Sequence, residues 1–255
     1  MEDLYYKNSN SCIIIMAGGL GKRMNSETPK VLHKVKGIPM LISILEKALI
    51  LNVYKILLVV GKYYNIIKNC ICEYINQEII DSKINFIIQN EPLGTGHAIM
   101  CCKNVLSKLP DKIENICILS GDVPLITNET INNLLNNTKT CKILIAELTN
   151  PYGYGRIKID NNKIIKIIEE KDCILDEKKI TLINSGIYSF NINVLLKYID
   201  NLDNNNSQKE YYLTQIFELI NKDNLNIDYK LIKNNNEIMG VNTKEQLLII
   251  ENYIK

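Results

Sequence analysis

Cys12-Ile13-Ile14-Ile15-Met16-Ala17-Gly18-Gly19-Leu20-Gly21-Lys22-Arg23-Met24, with Pro29-Lys30 close behind, decides the reading of this chain. The apolar run at its start reads as a buried strand. A strand that feeds a glycine-rich turn lets backbone N–H groups approach a phosphate with no side chain in the way. Arg23 and Lys30 add fixed positive charge at the same place, which suits a nucleoside triphosphate. Glycines also serve tight turns that bind nothing, so the charges beside them carry the inference.

Two familiar phosphate loops do not fit. A Walker loop closes on Gly-Lys-Ser/Thr, whereas Gly21-Lys22 is followed by Arg23. The dinucleotide fingerprint needs a further glycine where Met24 stands and a helix running straight on. Pro29 interrupts such a helix, because its ring removes a donor and restricts Thr28. An extended basic loop remains.

Outward from this loop, strand-like and helix-like segments alternate. Residues 55–60, 84–88, 116–119 and 142–148 read as strands; residues 65–76, 97–108 and 129–136 read as helices. Pro39 fits the first turn of a helix carrying Leu41, Ile44, Leu45, Ala48 and Leu49. Such alternation argues for a largely parallel sheet covered by helices. After Pro151 the pattern changes, and residues 156–160 and 163–169 alternate around Asn161-Asn162 as a β-hairpin. A strand at 182–190, helices near 191–199 and 211–221, and a last strand and helix at 227–232 and 243–253 complete the expectation. The expected organisation is one domain of two lobes over residues 11–255, behind a short frayed extension at residues 1–10.

A chain of 255 residues can bury a sizeable core, and its 46% hydrophobic and 23% charged content is ordinary for a globular protein. A net charge of +2 gives no reason to expect nucleic-acid or membrane binding. No apolar run reaches membrane-spanning length, and the opening residues, with Glu2 and Asp3, lack the hydrophobic segment of a secretory signal. The eight cysteines show no disulfide or zinc spacing: Cys70 and Cys72 stand one residue apart, Cys101 and Cys102 are adjacent, and Cys12, Cys117 and Cys141 sit in apolar runs. They read as reduced, buried thiols of a cytoplasmic protein. His33 and His97 are too few for a histidine-based metal site.

Two further motifs follow strands. Ser120-Gly121-Asp122-Val123-Pro124 places a carboxylate where ligands collect in open α/β sheets, and Mg²⁺ needs few protein oxygens when phosphates and water supply the rest. The lesser alternative for Asp122 is a turn residue bonding its own backbone. In Gln89-Asn90-Glu91-Pro92-Leu93-Gly94-Thr95-Gly96-His97, Gln89 offers a donor and an acceptor suited to one edge of a pyrimidine. Gly94 and Gly96 allow close approach of a flat base, while Thr95 or Gly96 could instead cap a helix starting at His97.

These blocks, together with Tyr154-Gly155-Arg156-Ile157, Glu169-Glu170-Lys171-Asp172, Ile183-Asn184-Ser185-Gly186-Ile187-Tyr188, Glu210-Tyr211-Tyr212-Leu213-Thr214 and Gly240-Val241-Asn242, resemble the N-acetylglucosamine-1-phosphate uridylyltransferases from about Cys12 onward. The first block is shared by many sugar nucleotidyltransferases; Gly-Thr-Gly-His-Ala with Tyr-Gly-Arg-Ile is more selective. The resemblance implies a Rossmann-like nucleotide-diphospho-sugar transferase fold, an α/β fold with a mixed, mostly parallel sheet flanked by helices. It implies transfer of UMP from UTP to N-acetylglucosamine 1-phosphate with release of pyrophosphate. By matching motif, Met16, Ala17, Gly18, Gly19, Gln89, Gly94 and Thr95 would hold the uridine nucleotide. Arg23 and Lys30 would grip the triphosphate, Asp122 and Asn242 would ligate Mg²⁺, and Gly155, Glu169 and Asn184 would hold the amino sugar. Tyr212 and Thr214 are expected to start a helix or pack.

The chain departs from the pattern at Lys22, where threonine is common, and at Ser120, where many members carry tyrosine. No hexapeptide repeat of the acetyltransferase part follows, so acetyl transfer is not expected, and a monomer or weak oligomer is. Other readings are a nucleotidyltransferase for another base or sugar phosphate, and a non-catalytic nucleotide-sugar-binding subunit. Retention of Arg23, Lys30, Asp122 and Asn242 together speaks against the second.

Overall fold

The computed structural model describes residues 8–19, 21–24 and 26–254, with the Lys22 side chain outside the description. The Lys22 side chain, where the chain departs from the family pattern, and residues 1–7 of the extension therefore lie outside the described residues. Asn8 is buried and its Nδ2 donates to Leu51 O and, at 3.1 Å, to Asn132 Oδ1, so contact with the domain is made ahead of residue 11.

β1 (Ser11–Met16) leads into short 3-10 turns at Lys22–Met24 and Lys30–Leu32, with Pro29 immediately ahead of the second. β2 (Lys34–Val35) and β3 (Ile38–Pro39) form a small separate hairpin before α1 (Met40–Ile50). Then follow β4 (Lys55–Val60), α2 (Tyr64–Tyr74), α3 (Gln77–Lys83), β5 (Ile84–Ile88), α4 (Thr95–Met100) and α5 (Lys103–Leu106). The next elements are β6 (Asn115–Ser120), α6 (Asn128–Leu135), β7 (Cys141–Glu147), β8 (Gly155–Asp160) and β9 (Lys163–Ile168). β10 (Leu182–Asn191), α7 (Ile192–Tyr198), α8 (Gln215–Lys222), β11 (Ile227–Leu231) and α9 (Lys244–Tyr253) complete the description.

The main sheet runs β11-β7-β10-β6-β1-β4-β5, with the β8–β9 hairpin attached to β10. β1 pairs in parallel with β4 and β6, β4 with β5, and β7 with β11, while β10 runs antiparallel to both β6 and β7. The α/β fold with a mixed, mostly parallel sheet is thus present. Alternate residues of β1 enter opposite layers: Ile13 and Ile15 pack with α1, Cys12 and Ile14 with α4, α7 and α8. Chain order reverses beside β1, since β4 and β5 lie on one side and β6 on the other. A crevice opens there at the carboxyl ends of the strands. Because β10 is antiparallel, its first residues reach the same end of the sheet.

Several expected elements differ. The helix at 97–108 is two helices, broken at Cys101-Cys102, and it starts at Thr95. The helix at 65–76 stops at Tyr74, and α3 follows because Asn76 caps it, accepting from Glu78 N at 2.8 Å. Pro39 precedes its helix rather than occupying the first turn, and Met40 N is tied back to His33 O. α8 begins at Gln215 because Tyr211 N and O pair with Leu93 O and Gly96 N instead of helical partners. Asn161 and Asn162 have φ of 48° and 61°, the left-handed pair that a two-residue hairpin turn requires. All eight cysteines are free; Cys72 is exposed, and Cys70 and Cys101 are half-buried, contrary to uniform burial. Burial pushes the Cys12 thiol up to about 11 and that of Cys102 to about 12, so neither is a nucleophile. Among the described residues no helix is long and apolar enough to cross a membrane.

Candidate active site

The crevice beside β1 holds a cavity of about 610 Å³ lined by Met16, Gly18, Gly19, Arg23, Lys30, Gln89, Gly94, Thr95 and Asp122, among others. At one end five polar side chains meet. Lys30 Nζ contacts Asp122 Oδ2 and lies 3.1 Å from Asn242 Oδ1, which also accepts from Arg23 Nη2 at 3.1 Å. Ser120 Oγ donates to the other Asp122 oxygen at 2.6 Å. Local chain structure explains the convergence. Gly21 (φ +60°) stands where a Cβ would lie 2.7 Å from Lys30 Cβ, so glycine is what lets Lys30 fold under the loop. Asp122 O accepts from Val241 N, bringing residues 240–242 alongside. A capping box at Thr243 and Gln246 starts α9, and Gln246 Oε1 also accepts from Asn242 N at 2.7 Å, which fixes Asn242 beside Asp122.

At the other end Gln89 is buried at the end of β5. Its Nε2 donates to Gly94 O at 3.1 Å and faces His97 Nδ1 at 3.2 Å. The amide nitrogen is thereby engaged inside the protein, and Oε1 is left as an acceptor facing Gly18, where a Cβ would lie 3.2 Å away. Ala17 stands behind the cavity: its N–H donates to Val59 O and its side chain is in the core. Gly94 and Gly96 approach the backbone of Tyr211 rather than open space. Thr95 does not cap a helix; its Oγ1 accepts from Leu213 N at 3.0 Å, while Gly94 occupies the cap position.

Met16 and Thr95 are shared with a second cavity of about 210 Å³, lined by Gly155, Glu169, Asn184, Tyr188 and Thr214. Asn184 sits at a bulge in β10, where pairing with β7 shifts between Asn184 and Tyr188. Its Nδ2 donates to Tyr188 Oη at 2.7 Å and its Oδ1 accepts from Gly186 N. Glu169 is half-buried, and Thr214 Oγ1 donates to its Oε1 at 2.7 Å. Burial pushes the Glu169 carboxyl above the usual range, the Thr214 hydrogen bond acts against that, and Asp172 and Glu210 add to it.

Sequence reasoning matched residues 210–214 to the family pattern but gave no site role to the segment that joins the cavities. Residues 207–214 carry Gln208 and Glu210 to the first cavity and Leu213 and Thr214 to the second. Thr214 stands at the start of α8 as expected, but its hydroxyl also meets Glu169, and a threonine hydroxyl that meets a distant carboxylate leaves no local pattern. Arg156 is buried and pairs with Glu170 at 2.7 Å, and Glu170 also accepts from Gly153 N, so this ion pair shapes the turn before Gly155. Among the described residues no group of three or more His, Cys, Asp or Glu could hold a metal. The hard oxygens of Asp122 and Asn242 nevertheless suit a magnesium ion that shares its shell with phosphate and water. A cation already fits there, since the Lys30 ammonium rests on both.

Comparisons with known proteins show the family and the fold. A family model described as nucleotidyl transferase matches residues 12–236. A mimivirus (Acanthamoeba polyphaga mimivirus) protein named "Probable UDP-N-acetylglucosamine pyrophosphorylase" is 47% identical over 95% of this chain and 96% of its own length. The "Bifunctional protein GlmU" of Clostridium tetani is 41% identical over 94% of this chain but 51% of its own length, so the chain spans about half of that relative. A solved Bacillus anthracis structure named for a glucose-1-phosphate thymidylyltransferase superposes with a TM-score of 0.72 at 20% identity, covering 95% of this chain and 94% of that one, which shows the fold. The chain belongs to the nucleotidyl transferase family.

Proposed function

We propose that this protein transfers UMP from UTP to N-acetylglucosamine 1-phosphate, forming UDP-N-acetylglucosamine and pyrophosphate. The observation that carries the reading is the meeting of Arg23, Lys30, Asp122 and Asn242 at the mouth of the Gln89 cavity, with a second cavity opening past Met16 and Thr95. The name of the mimivirus relative supports the same substrates. Mg²⁺ held by Asp122 and Asn242, and a cytoplasmic setting in keeping with free thiols, belong to the proposal.

The acceptor's phosphate oxygen is already anionic and needs no general base. It needs alignment with the α-phosphorus and relief from anion repulsion. Arg23 and Lys30 supply fixed charge to the triphosphate, and Mg²⁺ when bound adds Lewis-acid charge. Gln89, with its amide nitrogen engaged inside the protein, presents an acceptor. That matches a base with an N3–H, as in uracil or thymine, and opposes cytosine, whose N3 is itself an acceptor. Glu169 and the remaining Asn184 amide proton would engage sugar hydroxyls.

Pyrophosphate release with UTP, dTTP and CTP against several sugar phosphates tests the reading. UTP with N-acetylglucosamine 1-phosphate is expected to dominate, and preference for CTP would defeat the assignment. Asp122→Ala is expected to lose orders of magnitude in turnover with its melting curve retained; unchanged turnover removes Asp122 from the metal role.

A further inference from the structure

Lys30 occupies the place in this corner that a divalent cation would need. Its Nζ rests on Asp122 Oδ2 and Asn242 Oδ1, the two oxygens best suited to a divalent ion. Ser120 Oγ holds Asp122 Oδ1, and Arg23 Nη2 shares the Asn242 oxygen. The Lys30 and Asp122 side chains are 15% and 10% exposed, so solvent screening in the corner is poor. A divalent ion on those oxygens would stand against the ammonium at contact distance, which is strongly repulsive in such surroundings.

We propose that Lys30 is an exchangeable counter-ion. In the nucleotide-free protein its ammonium takes the place of the divalent cation. When a triphosphate enters, its oxygens draw Lys30 away from Asp122 and Asn242, and the freed oxygens accept the metal that accompanies the nucleotide. Lysine suits this task, because a flexible stem carries its point charge and rotamer changes alone can move it. Gly21 leaves room for the root of the Lys30 side chain, where an added Cβ would lie 2.7 Å from Lys30 Cβ. Metal and nucleotide binding are thereby coupled: the free protein holds metal weakly, and the triphosphate raises the affinity. No covalent step is involved. The inference rests on the proposed placement of triphosphate and metal in this cavity.

The test is a Mn²⁺ titration of the nucleotide-free full chain, followed by the electron paramagnetic resonance of the free ion. Lys30→Met is expected to bind Mn²⁺ at least about tenfold more tightly than the wild type, with the gain abolished in Lys30→Met/Asp122→Asn. Lys30→Gln, which keeps a polar side chain of similar reach, is expected to behave like Lys30→Met and serves if the methionine variant melts early. Wild-type affinity in both Lys30 variants overturns the exchange, as does a gain that survives loss of the Asp122 charge. Because the titration contains no nucleotide, it is independent of catalysis. Absent pyrophosphate release would sink the transfer reading while leaving the exchange standing.

Discussion

Thr214 Oγ1 donates to Glu169 Oε1 at 2.7 Å, and one residue earlier Leu213 N donates to Thr95 Oγ1 at 3.0 Å. Two consecutive residues thus tie one segment to both cavities. If Glu169 meets the sugar, Thr214 is its positioning residue. Thr214→Val keeps the shape and removes the donor, and a hydrogen bond to a charged group contributes about 1.5–3 kcal/mol. The expected outcome is a rise of roughly tenfold or more in KM for the sugar phosphate, with little change in KM for UTP and rescue by Thr214→Ser. Equal effects on both substrates would mean that the residue only supports the fold.

Glu169 predicts a pH signature of its own. Burial holds its proton to higher pH than in the unfolded chain, where a glutamate titrates near about 4.3. With the folded value raised, the native state binds more protons, and the stability that this contributes is present below the unfolded value. It is lost as pH rises through the folded value. Glu169→Gln resembles the protonated form at every pH and can still accept from Thr214. Its melting temperature is expected to exceed that of the wild type by a few degrees at about pH 8, with the gap closing toward about pH 4. Thermal melts across that range decide it, and a glutamine variant less stable at the alkaline end would contradict the raised carboxyl.

Much of this arrangement was legible locally. The apolar run of β1, the glycines after it and the charges of Arg23 and Lys30 are short-range signals, as are Asn161-Asn162 and the Thr243 cap. The insertion of β10 between β6 and β7 was not legible, because strand alternation records which face is buried and not which neighbour is paired. Residues 211–213 show why the helix expected from Tyr211 fails: local spacing favours it, but Tyr211 N and O and Leu213 N are spent on the loop at residues 93–96. The glycines of that loop, read for their approach to a base, are needed first for the approach of Tyr211.

Gly94 is where that dependence can be measured. Its φ is +112°, and an added Cβ would lie 2.5 Å from Tyr211 O and 2.9 Å from Tyr211 N, backbone atoms that cannot rotate away. Gly94→Ala therefore combines backbone strain with overpacking, and is expected to cost about 3 kcal/mol of stability. Gly19 provides the control: a Cβ there meets nothing within 4 Å, and Gly19→Ala is expected to stay within about 0.5 kcal/mol of the wild type. Relief of the Gly94→Ala clash would push residues 207–214 outward, taking Leu213 from Thr95 and Thr214 from Glu169. KM should then rise for both substrates, unlike the one-sided effect of Thr214→Val. Denaturant melts of the two glycine variants, with initial rates at varied UTP and varied sugar phosphate, separate these outcomes. A stable Gly94→Ala protein with ordinary KM values would show that the loop and residues 207–214 are not held together as described.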